Sequence, residues 1–248
     1  MISYTVKDDI AIIKLNRPDK RNALHPDLVK QMKEKLNEIR DDDNVKVLII
    51  TGEGKAFCAG ADLSYLNELR NFSSIENEKD SEDLAKMFLM IYKFPKPTIA
   101  AVNGVAIAGG CGLASVCDLI VADEDHSRFG YSEVKIGFVP AIVYIFVIKR
   151  IGEGIARQLL LTGEIINGKR AYEIGFVNYL YNNVLGGAME VASKIRNNSV
   201  FSVKETKSMI DSVLGLSVDD AVNYCIRLNA ISRSSEDFKN GLESFLKK

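Results

Sequence analysis

The chain has no tryptophan and only two histidines in 248 residues, and the scarcity excludes chemistry at the outset. His25 and His126 stand in neither a CxxC nor an HExxH context, so no zinc site and no other metal centre is expected. The four cysteines (Cys58, Cys111, Cys117 and Cys225) are irregularly spaced, and the first residues carry no secretory signal. Reduced thiols in a cytoplasmic protein are the expectation. Net charge is −1, so no global field draws the protein to nucleic acid or to an anionic membrane. Neither an arginine-rich stripe nor an aromatic ladder is present, which removes the usual signs of RNA binding. An anionic ligand would therefore be held by local basic groups. One uncharged run, Thr98 to Cys117, is twenty residues long and matches a membrane span in length. It contains Asn103 and four glycines between short apolar pieces, which reads as a buried strand followed by a buried helix.

What is present describes an ordinary globular protein: 47% hydrophobic and 26% charged residues, with length enough for a sizeable core. Ile2–Val6 and Ile10–Leu15 around Asp8-Asp9 read as a hairpin. Pro26 suits a first helical turn, and Leu28, Met32, Leu36 and Ile39 recur at helical spacing to about Arg40. Val45–Ile50 reads as a buried parallel strand. Residues 70–83 are charge-rich without a clear period, and read as a mobile lid or a solvated loop. Leu84–Tyr92 is helical and stopped by Pro95 and Pro97. Strands at Thr98–Val102 and Leu119–Ala122 bracket a short helix. Alternation of strand and helix makes the class α/β. Beyond Ala141 helices dominate, with one short strand near Phe176–Leu180, and the last fifty residues read as amphipathic helices. The expected organisation is a core over 1–195 and a C-terminal helical region over 196–248.

Two glycine-rich loops, each after a buried strand, carry the most specific chemistry. One runs Lys55-Ala56-Phe57-Cys58-Ala59-Gly60-Ala61-Asp62-Leu63. The other runs Asn103-Gly104-Val105-Ala106-Ile107-Ala108-Gly109-Gly110-Cys111-Gly112-Leu113. Small residues let a ligand approach backbone N–H groups closely. Two such donors converging on one oxygen form an oxyanion hole, whereas either loop alone is explained by tight turns and close packing. The run Gly110 to Ser115 nearly matches GxGxxG, but it lies past residue 100 and its sixth position is Ser115, so a dinucleotide fold is not indicated.

Both loops, with the segments around them, resemble the crotonase (enoyl-CoA hydratase/isomerase) superfamily. The resemblance begins at Asn16-Arg17-Pro18 and Asn22-Ala23-Leu24. It continues in Ser132-Glu133-Val134-Lys135-Ile136-Gly137, Thr162-Gly163 and Ala171 to Val177, and ends at Ser235-Glu236-Asp237 and Gly241 to Phe245. Within it, the closest match is to single-glutamate, methylglutaconyl-CoA hydratase-like members. The resemblance implies an α/β fold, a crotonase-type spiral of ββα turns with a C-terminal helical trimerisation region. A homotrimer or a dimer of trimers follows, with acyl-CoA as substrate and no separate cofactor. It implies that the backbone N–H groups of Ala61 and Gly109 stabilise a thioester enolate, and that Glu133 is the acid/base. Lys20, Arg21, Ala59, Asp62 and Leu63 match positions that line coenzyme A, and Phe245 and Lys248 match residues that reach it from a neighbouring subunit.

Glu133 precedes the apolar run Ile136–Val139, so a desolvated carboxyl with a raised pKa is expected. Two-glutamate hydratases carry a second glutamate where this chain has Gly112. A single carboxylate must then serve both proton transfers of hydration, or shuttle one proton within the substrate. Hydration of a 2-enoyl-CoA is the expected reaction, with Δ3,Δ2-enoyl-CoA isomerisation and non-catalytic CoA-ester binding as alternatives. Asp118 reads as structural and Tyr144 as a core aromatic on a helix.

Overall fold

The computed structural model describes residues 1–247, and at Phe245 the backbone alone. The chain opens with β1 (Ile2–Lys7) and β2 (Ile10–Leu15), an antiparallel hairpin. Asp8 and Asp9 at its turn both take positive φ (51° and 61°), whose twist suits a two-residue hairpin. In α1 (Pro26–Asp41), His25 caps the start by accepting the Asp27 N–H, and Leu28, Met32, Leu36 and Ile39 form one buried stripe. Each such side chain contributes roughly 1.5–3 kcal/mol of burial.

Then follow β3 (Val47–Gly52), β4 (Ala56–Cys58), α2 (Leu63–Leu69), α3 (Ser74–Tyr92), β5 (Thr98–Val102), β6 (Val105–Ile107) and α4 (Gly109–Ser115). Next come β7 (Leu119–Ala122), β8 (Arg128–Gly130), a 3-10 turn (Ser132–Ile136) and α5 (Ala141–Thr162), which is interrupted at Gly152. The chain continues through β9 (Ile165–Asn167), α6 (Gly168–Glu173), β10 (Tyr179–Leu180) and α7 (Val184–Arg196). It closes with α8 (Val200–Val213), α9 (Val218–Ser234) and α10 (Glu236–Leu246).

A six-stranded sheet has the order β1-β2-β3-β5-β7-β10, parallel from β2 onward, and a four-stranded sheet has the order β4-β6-β8-β9. In the pairs β3/β4, β5/β6 and β7/β8, the first strand joins the large sheet and the second joins the small one. Helices return the chain each time, so the topology is a spiral of ββα turns. Strand alternation divides the large sheet's side chains between two cores. Ile13, Leu48, Ile50 and Ala100 face the main core with α1 and α3, while Ile12, Val47, Ile49 and Ile99 face α7 through Val184, Ala188 and Val191.

The expectation for 70–83 is corrected: most of that stretch is the first half of α3. Ser73 and Glu76 form a capping box, with the Glu76 N–H donating to Ser73 Oγ and the Ser73 N–H donating to Glu76 Oε2. Only Met87, Phe88 and Ile91 of α3 are buried, so its solvated first turns carry no apolar period. Ion pairing of Lys33 with Asp83 (2.7 Å) and a Tyr65 hydroxyl donating to Asp80 (2.5 Å) tie it to α1 and α2. The whole small sheet (β4, β6, β8 and β9) is an addition that the sequence reading lacked, since β4 and β6 lie inside the stretches read as glycine-rich loops. Helices α8 and α9 contain no buried residue, and Lys207 of α8 is anchored to Asp118 at 2.6 Å. Among the described residues no helix is long and apolar enough to cross a membrane.

Candidate active site

Strands β4, β6 and β8 run parallel, so their carboxyl ends share one edge of the small sheet. Ala61, Gly109 and Glu133 each follow within three residues of one of those ends. Parallel strands thus gather residues far apart in sequence, at the edge where open α/β sheets commonly bind ligands.

The first loop is held by Leu24. Its N–H donates to Gly60 O (2.7 Å) and its carbonyl accepts the Asp62 N–H (2.9 Å), a parallel bridge that turns the Ala61 N–H the other way. Gly60 has φ +89°, and a Cβ there would stand 3.0 Å from Ile107 O and 3.6 Å from Gly109 N. Only glycine allows this approach, which sets the two loops side by side. In the second loop, Ala108 is held at φ 51°, ψ −124°, a strained geometry costing about 1–3 kcal/mol. Its N–H donates to Gly130 O (2.8 Å) at the end of β8. A Cβ on Gly110 would meet Cys58 O at 2.0 Å, so α4 lies directly on β4. Among the described residues neither the Ala61 N–H nor the Gly109 N–H has a hydrogen-bond acceptor.

Glu133 sits on the 3-10 turn that Gly137 ends in left-handed conformation, with its carbonyl accepting the Phe138 N–H (3.0 Å). The residue is 7% exposed and Oε2 has no hydrogen-bond partner among the described residues. Burial raises its pKa above the usual glutamate value. The expected source of that burial is corrected. Ile136, Phe138 and Val139 are themselves exposed because the turn points them outward, while the Glu133 carboxyl turns inward toward α4. It lies near enough to Cys111 for its charge to add to the burial that pushes that thiol up to about 12. Tyr144 is also corrected: it is 47% exposed, on the outward face of α5.

Of the residues matched to coenzyme A, Lys20 and Arg21 are exposed on a 3-10 turn beside the first loop, where Arg21 O accepts the Ala59 N–H (3.0 Å). Leu63 is 79% exposed at the start of α2. The Asp62 carboxylate is engaged within the protein: it pairs with Arg17 (2.6 Å) and caps α2 by accepting the Ser64 N–H. The Arg17 hydrogen bond holds its pKa below the usual aspartate range. Lys248 and the Phe245 side chain lie outside the described residues. Two supports escaped the sequence reading as site residues, Arg17 and Asn22. Asn22 is fully buried, accepts the Arg17 N–H and donates to Glu53 O and Ala56 O, pinning the first loop. Its only sequence signal was its place in Asn22-Ala23-Leu24, and the positive φ (56°) that it adopts is visible only in the structure.

Gly112, the place of a second glutamate in two-glutamate hydratases, is already filled. A Cβ there would come within 2.3 Å of Val143 Cγ1. Asp118 is structural, accepting the Thr98 N–H (2.7 Å) and pairing with Lys207. Among the described residues no group of three or more His, Cys, Asp or Glu could hold a metal ion.

A two-sheet ββα spiral with a helical C-terminal part is the crotonase fold. The chain belongs to the enoyl-CoA hydratase/isomerase family, whose model matches residues 5–248. It is 35% identical over 243 residues to a short-chain-enoyl-CoA hydratase of Clostridium acetobutylicum, covering 96% of this chain and 92% of that protein. It is 33% identical over 246 residues to a crotonyl-CoA hydratase of Syntrophomonas wolfei, covering 98% and 93%. A Legionella pneumophila structure of the enoyl-CoA hydratase/isomerase (crotonase) type superposes with TM-score 0.93 at 35% identity, covering 99% of this chain and 96% of that one.

Proposed function

We propose that the chain hydrates a 2-enoyl-CoA thioester, with the Ala61 and Gly109 N–H groups on the thioester oxygen and Glu133 as acid and base. The reading rests on one observation. Among the described residues, two N–H groups without acceptors and a buried carboxyl with one oxygen unpartnered stand at one edge of three parallel strands. Negative charge develops on the thioester oxygen as hydroxide adds to the β-carbon, and two fixed donors stabilise it. Losing one such donor typically costs about 3 kcal/mol. The Glu133 carboxylate takes a proton from the attacking water and then returns a proton to the α-carbon. A raised pKa makes it the stronger base for the first step. The acyl-CoA is the substrate, and no separate cofactor takes part.

Isomerisation of a 3-enoyl-CoA is the second reading, favoured by Gly112: one carboxylate suffices to move one proton. The names of the two relatives favour hydration. Lys20, Arg21, Ala59, Asp62 and Leu63 would line the coenzyme A, with Asp62 acting through its backbone because its carboxylate is paired. Phe245 and Lys248 would reach it from a neighbouring subunit. A homotrimer or a dimer of trimers would cover the apolar residues that α8 and α9 expose, Ile210, Val222 and Ile226 among them. The C-terminal region would begin near the end of α7, close to residue 195. The four free cysteines, three of them buried, suit a reducing cytoplasm.

The test is incubation with a panel of 2-enoyl- and 3-enoyl-CoA esters, analysed for water addition and for double-bond migration. Addition without migration is expected. Migration without addition would replace hydration by isomerisation, and neither would leave a CoA-ester-binding protein.

A further inference from the structure

Gly109 and Glu133 belong to different elements. Gly109 begins α4, whereas Glu133 lies on the turn that runs directly into α5. Their separation therefore depends on how α4 and α5 are fixed to each other. At Gly112 the two helices meet through Val143, and apolar contact of that kind is non-directional. It closes a gap without fixing orientation.

The directional tie is Arg150 of α5, at the carboxyl end of α4. Its Nε donates to Ser115 O (3.4 Å), on the last residue of α4. Its Nη2 donates to Cys117 O and to Asp118 O (3.3 Å). Its Nη1 donates to Phe176 O (3.5 Å) and to Asn178 Oδ1 (3.4 Å), and that oxygen also accepts the Ile120 N–H of β7 (2.8 Å). Several of these bonds are long, but five acceptors around a planar fork fix its orientation. A cation at this place also complements the free carbonyls that end α4.

The guanidinium serves main-chain oxygens rather than an ion pair. Asp118, the carboxylate whose charge bears on it, is committed to Lys207 (2.6 Å), and burial pulls the arginine pKa below its usual value. Residues 141–150 span about 15 Å of helix. The helix breaks only beyond them, at Gly152 (φ 75°, ψ 167°), so Arg150 and the Glu133 turn lie at the two ends of one unbroken segment.

We propose that Arg150 is a positioning residue: by clamping α5 to the carboxyl end of α4, it holds the Gly109 N–H and the Glu133 carboxyl in register on one substrate. The inference rests on the proposed hydration at this site.

The experiment compares the full chain with Arg150→Met and with Arg150→Lys, which keeps the charge and loses the fork. In folded protein well below Tm, kcat on a 2-enoyl-CoA should fall roughly a hundredfold in Arg150→Met and about tenfold in Arg150→Lys, the scale of a small misplacement of reacting groups. The Kd of a saturated acyl-CoA, measured by calorimetry, should change less than about threefold, because the lost interaction acts in the transition state. Infrared difference spectra of that bound ester read the oxyanion donors directly. Its thioester C=O stretch, lowered in the unmodified chain, should move back toward its value in water in both variants. An arginine with a merely structural role would lower Tm and leave both kcat and the stretch unchanged, which overturns the proposal. Lys207→Met removes the neighbouring ion pair on Asp118 and controls for general loosening: Tm should fall while both readouts stay. A loss as large as that of Arg150→Met would also overturn the proposal. Should Arg150→Met not fold, Arg150→Lys decides by the same two readouts. If the unmodified chain hydrates no ester and leaves the stretch at its value in water, the hydratase reading itself fails. A lowered stretch that Arg150→Lys does not move defeats only the assignment to Arg150.

Discussion

Asp62 and Glu133 are both carboxyls sealed from solvent beyond the carboxyl ends of parallel strands, at 4% and 7% exposure. Similar exposure goes with opposite electrostatics, and Glu133 is the more deeply set of the two. Asp62 accepts from the Arg17 guanidinium and the Ser64 N–H, and its pKa is lowered chiefly by that arginine. Among the described residues Glu133 has one oxygen without any partner, and its pKa is raised by burial. Low exposure alone therefore says little about the role of a carboxyl; its depth and the company it keeps decide. A paired carboxylate holds the first loop in shape. An unpaired one is left ready to exchange a proton.

The largest effect that tests this contrast is on turnover. Glu133→Gln keeps the shape and removes the proton transfer, so kcat should fall by roughly a thousandfold, within the usual range for a general acid/base. Binding of a CoA ester, measured by calorimetry, should survive. Full activity on the true substrate would remove Glu133 from the chemistry. Next in size is the pair: Arg17→Met leaves Asp62 buried without its cation and should cost about 3 kcal/mol in urea denaturation. Asp62→Asn placed in the same chain should recover part of that loss, because the uncompensated charge is gone. A cost near zero for Arg17→Met would mean that water reaches the carboxylate.

The smallest effect is on stability as pH changes, and its sign differs between the two residues. Asp62, with a lowered pKa, contributes stability that is present above the ordinary aspartate pKa and is lost as pH falls through its folded value. Glu133, with a raised pKa, contributes stability present below the ordinary glutamate pKa and lost as pH rises through its folded value. At pH 7 its charge is thus a cost, and Glu133→Gln should raise Tm by about 2 °C. The gain should shrink toward about pH 4, where thermal scans of both proteins should converge. A variant less stable at pH 7 would show that Glu133 has a partner in solution.

Much of this was legible in the chain. The β2 and β3 strands, the buried stripe of α1 and both glycine loops stand out because their periods follow from backbone geometry. The first half of α3 did not, since its stability comes from a cap at Ser73 and from Asp80 and Asp83 reaching other helices, and none of these leaves an apolar period. Glu133 was legible through the resemblance, but the reason for its burial was misplaced: the neighbouring apolar run faces outward and the carboxyl faces in. Tyr144 failed for the same reason, because which side of a helix meets the core depends on the partner it packs against.

The sequence by itself determined the α/β class and the two small-residue loops, since composition, period and motif are local properties, and the resemblance to the crotonase superfamily nominated Glu133 as the acid. Only the tertiary structure decided that Asp62 is paired while Glu133 is not, and that Val143 fills the room above Gly112. Those are contacts between residues 45 and 31 positions apart. They arise when parallel strands bring their ends to one edge, and no local pattern in the chain encodes that edge.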